Sequence, residues 1–249
     1  MIALVMRIFC NRLTSAILVV ACSSVPLRAA EPNTLSDAEK AAGWKLLFDG
    51  QTTHGWRTYK KDDVGPGWQV VDGALVCVDP KQAGDLITSD QFDWFELSLE
   101  FNLSPGSNSG VMYRVTEDAP FAWNTGPEVQ LFDNNVQAGH ESQLAGWLYQ
   151  LYRPEIDPQR GKPTDATKPA GQWNELQILL TPSRCATLMN GVKYYEYVLG
   201  SADWDDRVSK SKFATMPKFG KASTGHLALQ GDHGQVSFRN IKIRPIGQQ

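Results

Sequence analysis

The segment Gly126-Pro127-Glu128-Val129-Gln130-Leu131-Phe132-Asp133 places a carboxylate and an amide two residues apart inside an otherwise apolar run. On a β-strand, side chains at i and i+2 share a face roughly 6.5 Å apart, so Glu128 and Gln130 point one way while Val129 and Leu131 turn into a hydrophobic layer. That is how a sheet presents a polar site. The run Asn108-Ser109-Gly110-Val111-Met112-Tyr113-Arg114-Val115 behaves similarly, with Val111, Tyr113 and Val115 on one face and Met112 and Arg114 on the other. Arg114 is then expected to pair across strands with Glu128. His233, in Gly231-Asp232-His233-Gly234 between two strand signals, has the ordinary imidazole pKa that lets it give or take a proton near neutrality.

The elements that must position these groups are mostly strands. Short apolar or alternating runs cover 43–48, 68–71, 74–78, 86–88, 92–103, 110–115, 128–132, 173–180, 186–189, 194–198, 225–230 and 236–244. Asp72-Gly73 and Asn190-Gly191 read as tight hairpin turns. Phe95, Leu97, Leu99 and Phe101 alternate with Glu96, Ser98, Glu100 and Asn102, which predicts one dry and one wet face. Short helices are expected over 35–42 and 201–211. Residues 134–172 break the rhythm with four glycines and four prolines around Trp147-Leu148-Tyr149-Gln150-Leu151-Tyr152; a long segment of this kind is a candidate binding loop, placed over the polar face of Glu128. So many turn-punctuated strands indicate an all-β sandwich or barrel in a single domain.

Residues 1–30 read as a leader instead of part of the fold: Arg7 and Arg12 precede the apolar stretch 16–21, and the first acidic residue is Glu31. The stretch is shorter than the roughly 17 to 25 residues a membrane span requires. Val19-Val20-Ala21-Cys22 resembles a bacterial lipobox, and Leu27-Arg28-Ala29-Ala30 offers ordinary cleavage, so the chain is expected in the periplasm, on the envelope as a lipoprotein, or secreted. Residues 31–42 are a lead-in and 43–246 the domain. Losing the leader takes the formal charge from −3 to −6, and no basic block occurs, which argues against a nucleic-acid partner. Cys77 and Cys185 would remain, and their pairing is left open.

Seven segments in order, Gly43-Trp44-Lys45-Leu46-Leu47-Phe48-Asp49-Gly50, Asn108-Ser109-Gly110, Gly126-Pro127-Glu128-Val129-Gln130, Trp173-Asn174, Leu188-Met189-Asn190-Gly191, Leu229-Gln230-Gly231-Asp232-His233-Gly234 and Phe238-Arg239-Asn240-Ile241-Lys242-Ile243, resemble the serial motifs of the 3-keto-disaccharide hydrolase domain family. The resemblance runs from about 43 to 246. It implies a concanavalin A-like jelly-roll sandwich of two mainly antiparallel sheets. It also implies cleavage of 3-keto-glycosides at the C1–oxygen bond, by net hydrolysis or by elimination across C1 and C2. The substrate would be an oxidised mono- or disaccharide glycoside supplied by a sugar 3-dehydrogenase. A non-catalytic, lectin-like carbohydrate-binding module is the alternative that such a fold leaves open.

Ordinary glycosidases use two carboxyls about 5 to 9.5 Å apart. Here parity puts Gln130 beside Glu128, and Asp133 has the opposite parity, so an acid pair is not indicated. A 3-keto sugar needs something else: its carbonyl acidifies the C2 proton, so the site wants a base, an oxyanion stabiliser and an acid for the leaving oxygen. Glu128, His233 and Arg239, with Arg114 in support, supply these types. Arg239 shares parity with Ile241 and Ile243 and needs a bulge near Asn240 to reach a polar face. Asn108, Gln130 and Gln230 suit sugar hydroxyls, and Trp123, Trp147, Tyr149 and Tyr152 suit ring stacking. His54 and His226 are weaker candidates. The chemistry is expected to need no cofactor, or else a divalent metal on Glu128, Asp133 and His233.

Overall fold

Strict alternation makes residues 95–103 a strand with one dry face: Phe95, Leu97, Leu99, Phe101 and Leu103 are at most 5% exposed, and the polar residues between them are half-buried. The structure is a computed structural model and describes residues 31–247; the leader and the lipobox cysteine, Cys22, lie outside the described residues. Its strands are β1 (Lys45–Leu46), β2 (Trp56–Thr58), β3 (Trp68–Val71), β4 (Ala74–Cys77), β5 (Leu86–Thr88), β6 (Phe95–Leu103), β7 (Asn108–Val115), β8 (Glu128–Phe132), β9 (Ile156–Asp157), β10 (Lys162–Pro163), β11 (Asn174–Leu180), β12 (Cys185–Met189), β13 (Val192–Tyr197), β14 (His226–Leu229) and β15 (Val236–Pro245). Short helices α1 (Asp37–Ala41) and α3 (Ala202–Ser209) fall inside the expected spans, and α2 (Pro80–Ala83) is an addition.

Two antiparallel sheets form a concanavalin A-like, jelly-roll sandwich. One has eight strands in the order β13-β12-β11-β6-β15-β4-β3, with β1 added along β15; the other has five in the order β2-β5-β14-β7-β8. Leu97, Leu99, Phe101, Leu176, Ile178 and Phe238 of the first pack against Val111, Tyr113, Val129, Leu131, Leu227 and Leu229 of the second. Burying each of these side chains contributes about 1.5–3 kcal/mol, which makes this layer the dominant stabilising element. The hairpin turns form as expected, with φ of 49° and 74° at Asp72-Gly73 and of 49° and 78° at Asn190-Gly191. These left-handed pairs match the twist of the flanking strands.

Two bulges interrupt the ladders. β7 shifts register against β14 beside Arg114, whose φ is 56°, and β15 shifts against β6 between Arg239 and Lys242, where Asn240 has φ 52°. Each adds a residue to one strand and re-aims a side chain. Differences from the sequence reading are local: the strand expected from 92 begins at Phe95, and Trp56–Thr58 forms an edge strand too short to show a period. Cys77 and Cys185 are buried free thiols, the former hydrogen-bonded to the Gly231 carbonyl at 2.9 Å. Among the described residues no helix is long and apolar enough to cross a membrane.

Candidate active site

β7 and β8 are paired so that Gly110 lies opposite Gln130 and Met112 opposite Glu128. Val111 and Val129 then face the sandwich interior, and the alternate residues face away from it. On that outer face Asn108, Glu128, Gln130 and Gln230 line a cleft of about 290 Å³, together with Trp123, Gln143, Tyr149, Lys212 and His233. A small apolar cluster of Ile87, Met112, Ala122 and Ala228 adjoins Trp123 on the same side.

Glu128 is seated by an absence. A Cβ on Gly110 would stand 2.0 Å from Glu128 Oε1 and 2.8 Å from its Cγ, so glycine at 110 makes the space the carboxylate occupies. Glu128 is 6% exposed, and its Oε1 is buried with no hydrogen-bond partner. Burial pushes this carboxyl from 4.5 up to about 7; the Lys212 charge opposes the shift and Asp85 adds to it. Asp85, just before β5, is itself raised to about 7, by burial first and by Asp232 second, while a hydrogen bond from the Gly231 amide works the other way. Gln230 Oε1 is likewise buried and unpartnered, whereas Gln130 Nε2 donates to Asn108 Oδ1 at 2.5 Å. An unsatisfied buried acceptor costs about 1–3 kcal/mol. Two in one cleft mark where a ligand's donors would belong.

His233 enters from the loop between β14 and β15. Its Nδ1 is hydrogen-bonded to Asp232 Oδ1, and that bond raises its pKa above the ordinary 6.5. The long segment 134–172 reaches the cleft by pairing with β8: the Gly146 amide donates to the Gln130 carbonyl at 2.7 Å, the Gln130 amide to the Trp147 carbonyl at 2.9 Å and the Tyr149 amide to the Glu128 carbonyl at 2.9 Å. Gly146, at φ 82°, allows the segment to pass the Tyr194 ring, which a Cβ would meet at 2.2 Å. Tyr149 is thereby delivered to the cleft, as expected. Trp147 is not; it lines a neighbouring depression of about 380 Å³ with Leu144, Pro154 and Lys162.

Three expected contributors are redirected. Arg114 does not pair with Glu128, because the β7 bulge turns it onto the Trp94 ring, with its guanidinium carbon 4.2 Å from the centroid and a hydrogen bond to the Ala222 carbonyl. Arg239 does escape its parity through the bulge at Asn240, but onto the outer face of the eight-stranded sheet. There it pairs with Glu100 at 2.6 Å and covers Trp173 at 4.1 Å. Asp133 is occupied as a loop brace, accepting from the Gly106 and Asn135 amides at 3.0 and 3.1 Å, and these bonds hold it below the usual carboxylate range. A ligand set of Glu128, Asp133 and His233 is therefore not assembled, and among the described residues no group of three His, Cys, Asp or Glu stands in metal-binding proximity. His226 is buried outside the cleft, bonded to the Thr88 carbonyl at 2.6 Å, and His54 is exposed in a turn.

The cation in the cleft is Lys212, which no sequence pattern singles out. Ser211 caps a 3₁₀ turn over Lys212–Thr215, and the Lys212 amide donates to Gln150 Oε1 at 2.9 Å. Lys212 Nζ lies 4.4 Å from the Tyr149 ring centroid, 4.6 Å from Trp123 and 5.2 Å from Phe213. Burial lowers its pKa and the Glu128 charge opposes that change. Asp85 is equally silent in the sequence, since a lone acid before a short apolar strand carries no pattern.

With this geometry in view, the comparisons with known proteins are specific. The 3-keto-alpha-glucoside-1,2-lyase-like domain matches residues 43–244. A 3-keto-disaccharide hydrolase of Bacteroides thetaiotaomicron is 30% identical over 257 aligned residues, covering 90% of this chain and 85% of its own length. A crystal structure of a provisionally assigned glycosyl hydrolase from Parabacteroides distasonis superposes with a TM-score of 0.77 at 30% identity, over 87% of this chain and all of the other. A second such protein from the same organism gives 0.61 at 27% identity, over 82% of this chain and 99% of the other.

Proposed function

This chain belongs to the 3-keto-α-glucoside-1,2-lyase-like family and is a carbohydrate-active enzyme of hydrolase or lyase type acting on 3-keto sugars; from that premise we propose that it breaks the C1–oxygen bond of a 3-keto-glucoside by elimination across C1 and C2. The observation that carries this reading is the Glu128 carboxyl, desolvated to a pKa of about 7 with an unpartnered oxygen in a cleft shared with His233. A base at this pKa suits a carbon acid activated by a neighbouring ketone, because it is half ionised at neutral pH yet basic enough to accept the proton. Glu128 takes the C2 proton, electron density passes to the C3 oxygen, and its return expels the C1 oxygen. His233, whose protonated form the Asp232 hydrogen bond favours, protonates the departing oxygen. Asn108, Gln130 and Gln230 bind ring hydroxyls, and Tyr149 and Trp123 wall the sugar. Water addition to the resulting enone gives net hydrolysis.

Residues 43–246 act in this reading as one catalytic unit, exported to the periplasm or envelope by the leader at 1–30. A sugar 3-dehydrogenase supplies the ketone. The test is to incubate purified protein with matched glycosides, with and without the 3-keto group, and follow C2 deuteration by NMR. Cleavage of the keto substrate alone, with exchange at C2 and an enone signal, is the expected result. Equal cleavage of the unoxidised glycoside would make Glu128 an ordinary glycosidase acid, and tight binding without turnover would favour a lectin.

A further inference from the structure

Elimination places a full negative charge on the C3 oxygen at the moment the C2 proton has left and the leaving group has not. Neither arginine expected from the sequence to meet that charge reaches the cleft. Among the described residues no carboxylate lies within ion-pair distance of Lys212 Nζ, whereas Lys242, on the opposite sheet, pairs with Glu39 at 2.8 Å. Three aromatic rings hold the Lys212 ammonium at 4.4 to 5.2 Å instead. Such contacts contribute about 0.5–2 kcal/mol and orient a cation without neutralising it. The cleft therefore contains a positioned, unquenched positive charge that acts electrostatically on the base. His233 is a weaker choice for the oxyanion, because the Asp232 carboxylate offsets its charge and suits it to proton donation.

We infer that Lys212 is a catalytic residue whose ammonium group binds the C3 oxygen of the keto sugar and stabilises the enolate formed when Glu128 removes the C2 proton. This rests on the elimination reading. The bonds balance without an added reactant: Glu128 gains the C2 proton, the C2–H pair becomes the C2–C3 double bond, and the carbonyl pair moves to oxygen beside Lys212. Collapse of the enolate then forms the C1–C2 double bond, and the C1 oxygen leaves with the proton from His233. Preorganised charge aimed at a developing oxyanion supplies much of the rate enhancement in many such reactions, and loss of one donor costs about 100- to 1000-fold in rate.

The experiment compares wild type, Lys212→Arg and Lys212→Met on methyl 3-keto-α-glucoside, and on a 1-deoxy 3-keto analogue that has an acidic C2 proton but no leaving group. Lys212→Met is expected to lower both kcat and the C2 exchange rate of the analogue by at least about 100-fold, with KM changed less than about threefold. Lys212→Arg should recover to within about tenfold of wild type. Near-UV circular dichroism and thermal unfolding verify that the aromatic cage is intact. Exchange unaffected in Lys212→Met would overturn the assignment, as would a rise in KM alone. Borohydride trapping of substrate on Lys212 would overturn it differently, replacing an electrostatic role by an imine. A wild type that neither exchanges nor cleaves either keto compound would instead overturn the elimination reading itself.

Discussion

At the scale of single residues, Glu128 carries opposite consequences for catalysis and stability. Its carboxyl is raised to about 7 in the folded state, above its ordinary 4.5. The folded chain thus binds more protons than the unfolded chain between those values, and the stability contribution is present at low pH and lost as pH rises towards 7 and beyond. Each pKa unit is about 1.4 kcal/mol, so the deficit at pH 8 is roughly 3 kcal/mol. Glu128→Gln should lower turnover by more than about 100-fold. It should also raise stability in urea at pH 8 by about 1–3 kcal/mol, with little gain at pH 4.5; destabilisation at pH 8 would contradict the seating of this group. Activity requires Glu128 ionised and His233 protonated, so kcat/KM should climb through about pH 7 and fall above the raised His233 pKa. Because Asp85 titrates in the same range, the limbs belong to the coupled cluster.

Gly110 offers an independent check on the same residue. Gly110→Ala adds one methyl at a backbone angle that alanine accepts, yet it must displace the Glu128 carboxylate that it would otherwise meet at 2.0 Å. Turnover should fall at least about tenfold while the protein still folds; activity within about twofold of wild type would show that the carboxylate is free to stand elsewhere. Glu128, Gln130, Asn108 and His233 are legible in the sequence because strand parity and a polar loop between strands are local signals. Lys212 and Asp85 are not. Their roles arise only when residues distant in the chain meet, and no periodicity announces that meeting.

At the scale of elements, two bulges decide where two arginines lie: Arg114 buried against Trp94, and Arg239 on the outer face of the eight-stranded sheet. Alternation correctly assigns the core face of β6, because a nine-residue strand leaves little freedom in register. The bulge near Asn240 is also legible, since Arg239 could not share a face with Ile241 and Ile243. Which sheet that face belongs to is not, because parity distinguishes inside from outside and says nothing about front from back. Arg239→Ala should leave kcat within about twofold, since the Glu100 pair is on the far sheet. Arg114→Ala should lower stability by about 2–3 kcal/mol, through a lost buried hydrogen bond and stacking on Trp94, without altering kcat of the folded protein by more than about threefold. A hundredfold loss in either variant would restore an arginine to the chemistry.

At the scale of the molecule, the sandwich is held by its interior layer and not by covalent links. Cys77 and Cys185 are both free and buried. Thermal unfolding of protein lacking residues 1–30 should shift by less than about 2 °C on adding a thiol reductant, the size expected when no cross-link constrains the unfolded chain. A shift of the order of 10 °C would reveal a bridge. The all-β class and the places of most strands along the chain are readable from turns and alternation; their order within the two sheets is not. The path of 134–172 is not, because a segment rich in glycine and proline takes its shape from what it lies against.

That segment has a second consequence. β8 ends the five-stranded sheet, and without the amides and carbonyls of residues 146–149 it would present an open row of backbone partners to any passing chain. The stretch that brings Tyr149 to the cleft is therefore also the guard against edge-to-edge aggregation. Its middle, around β9 and β10, takes no part in the backbone pairing with β8, which residues 146–149 carry. Relatives that diversify in substrate should vary between residues 153 and 172 while keeping glycine at position 146 and backbone pairing along Glu128 and Gln130. Shortening the segment through 146–149 should yield insoluble protein before it yields an altered specificity.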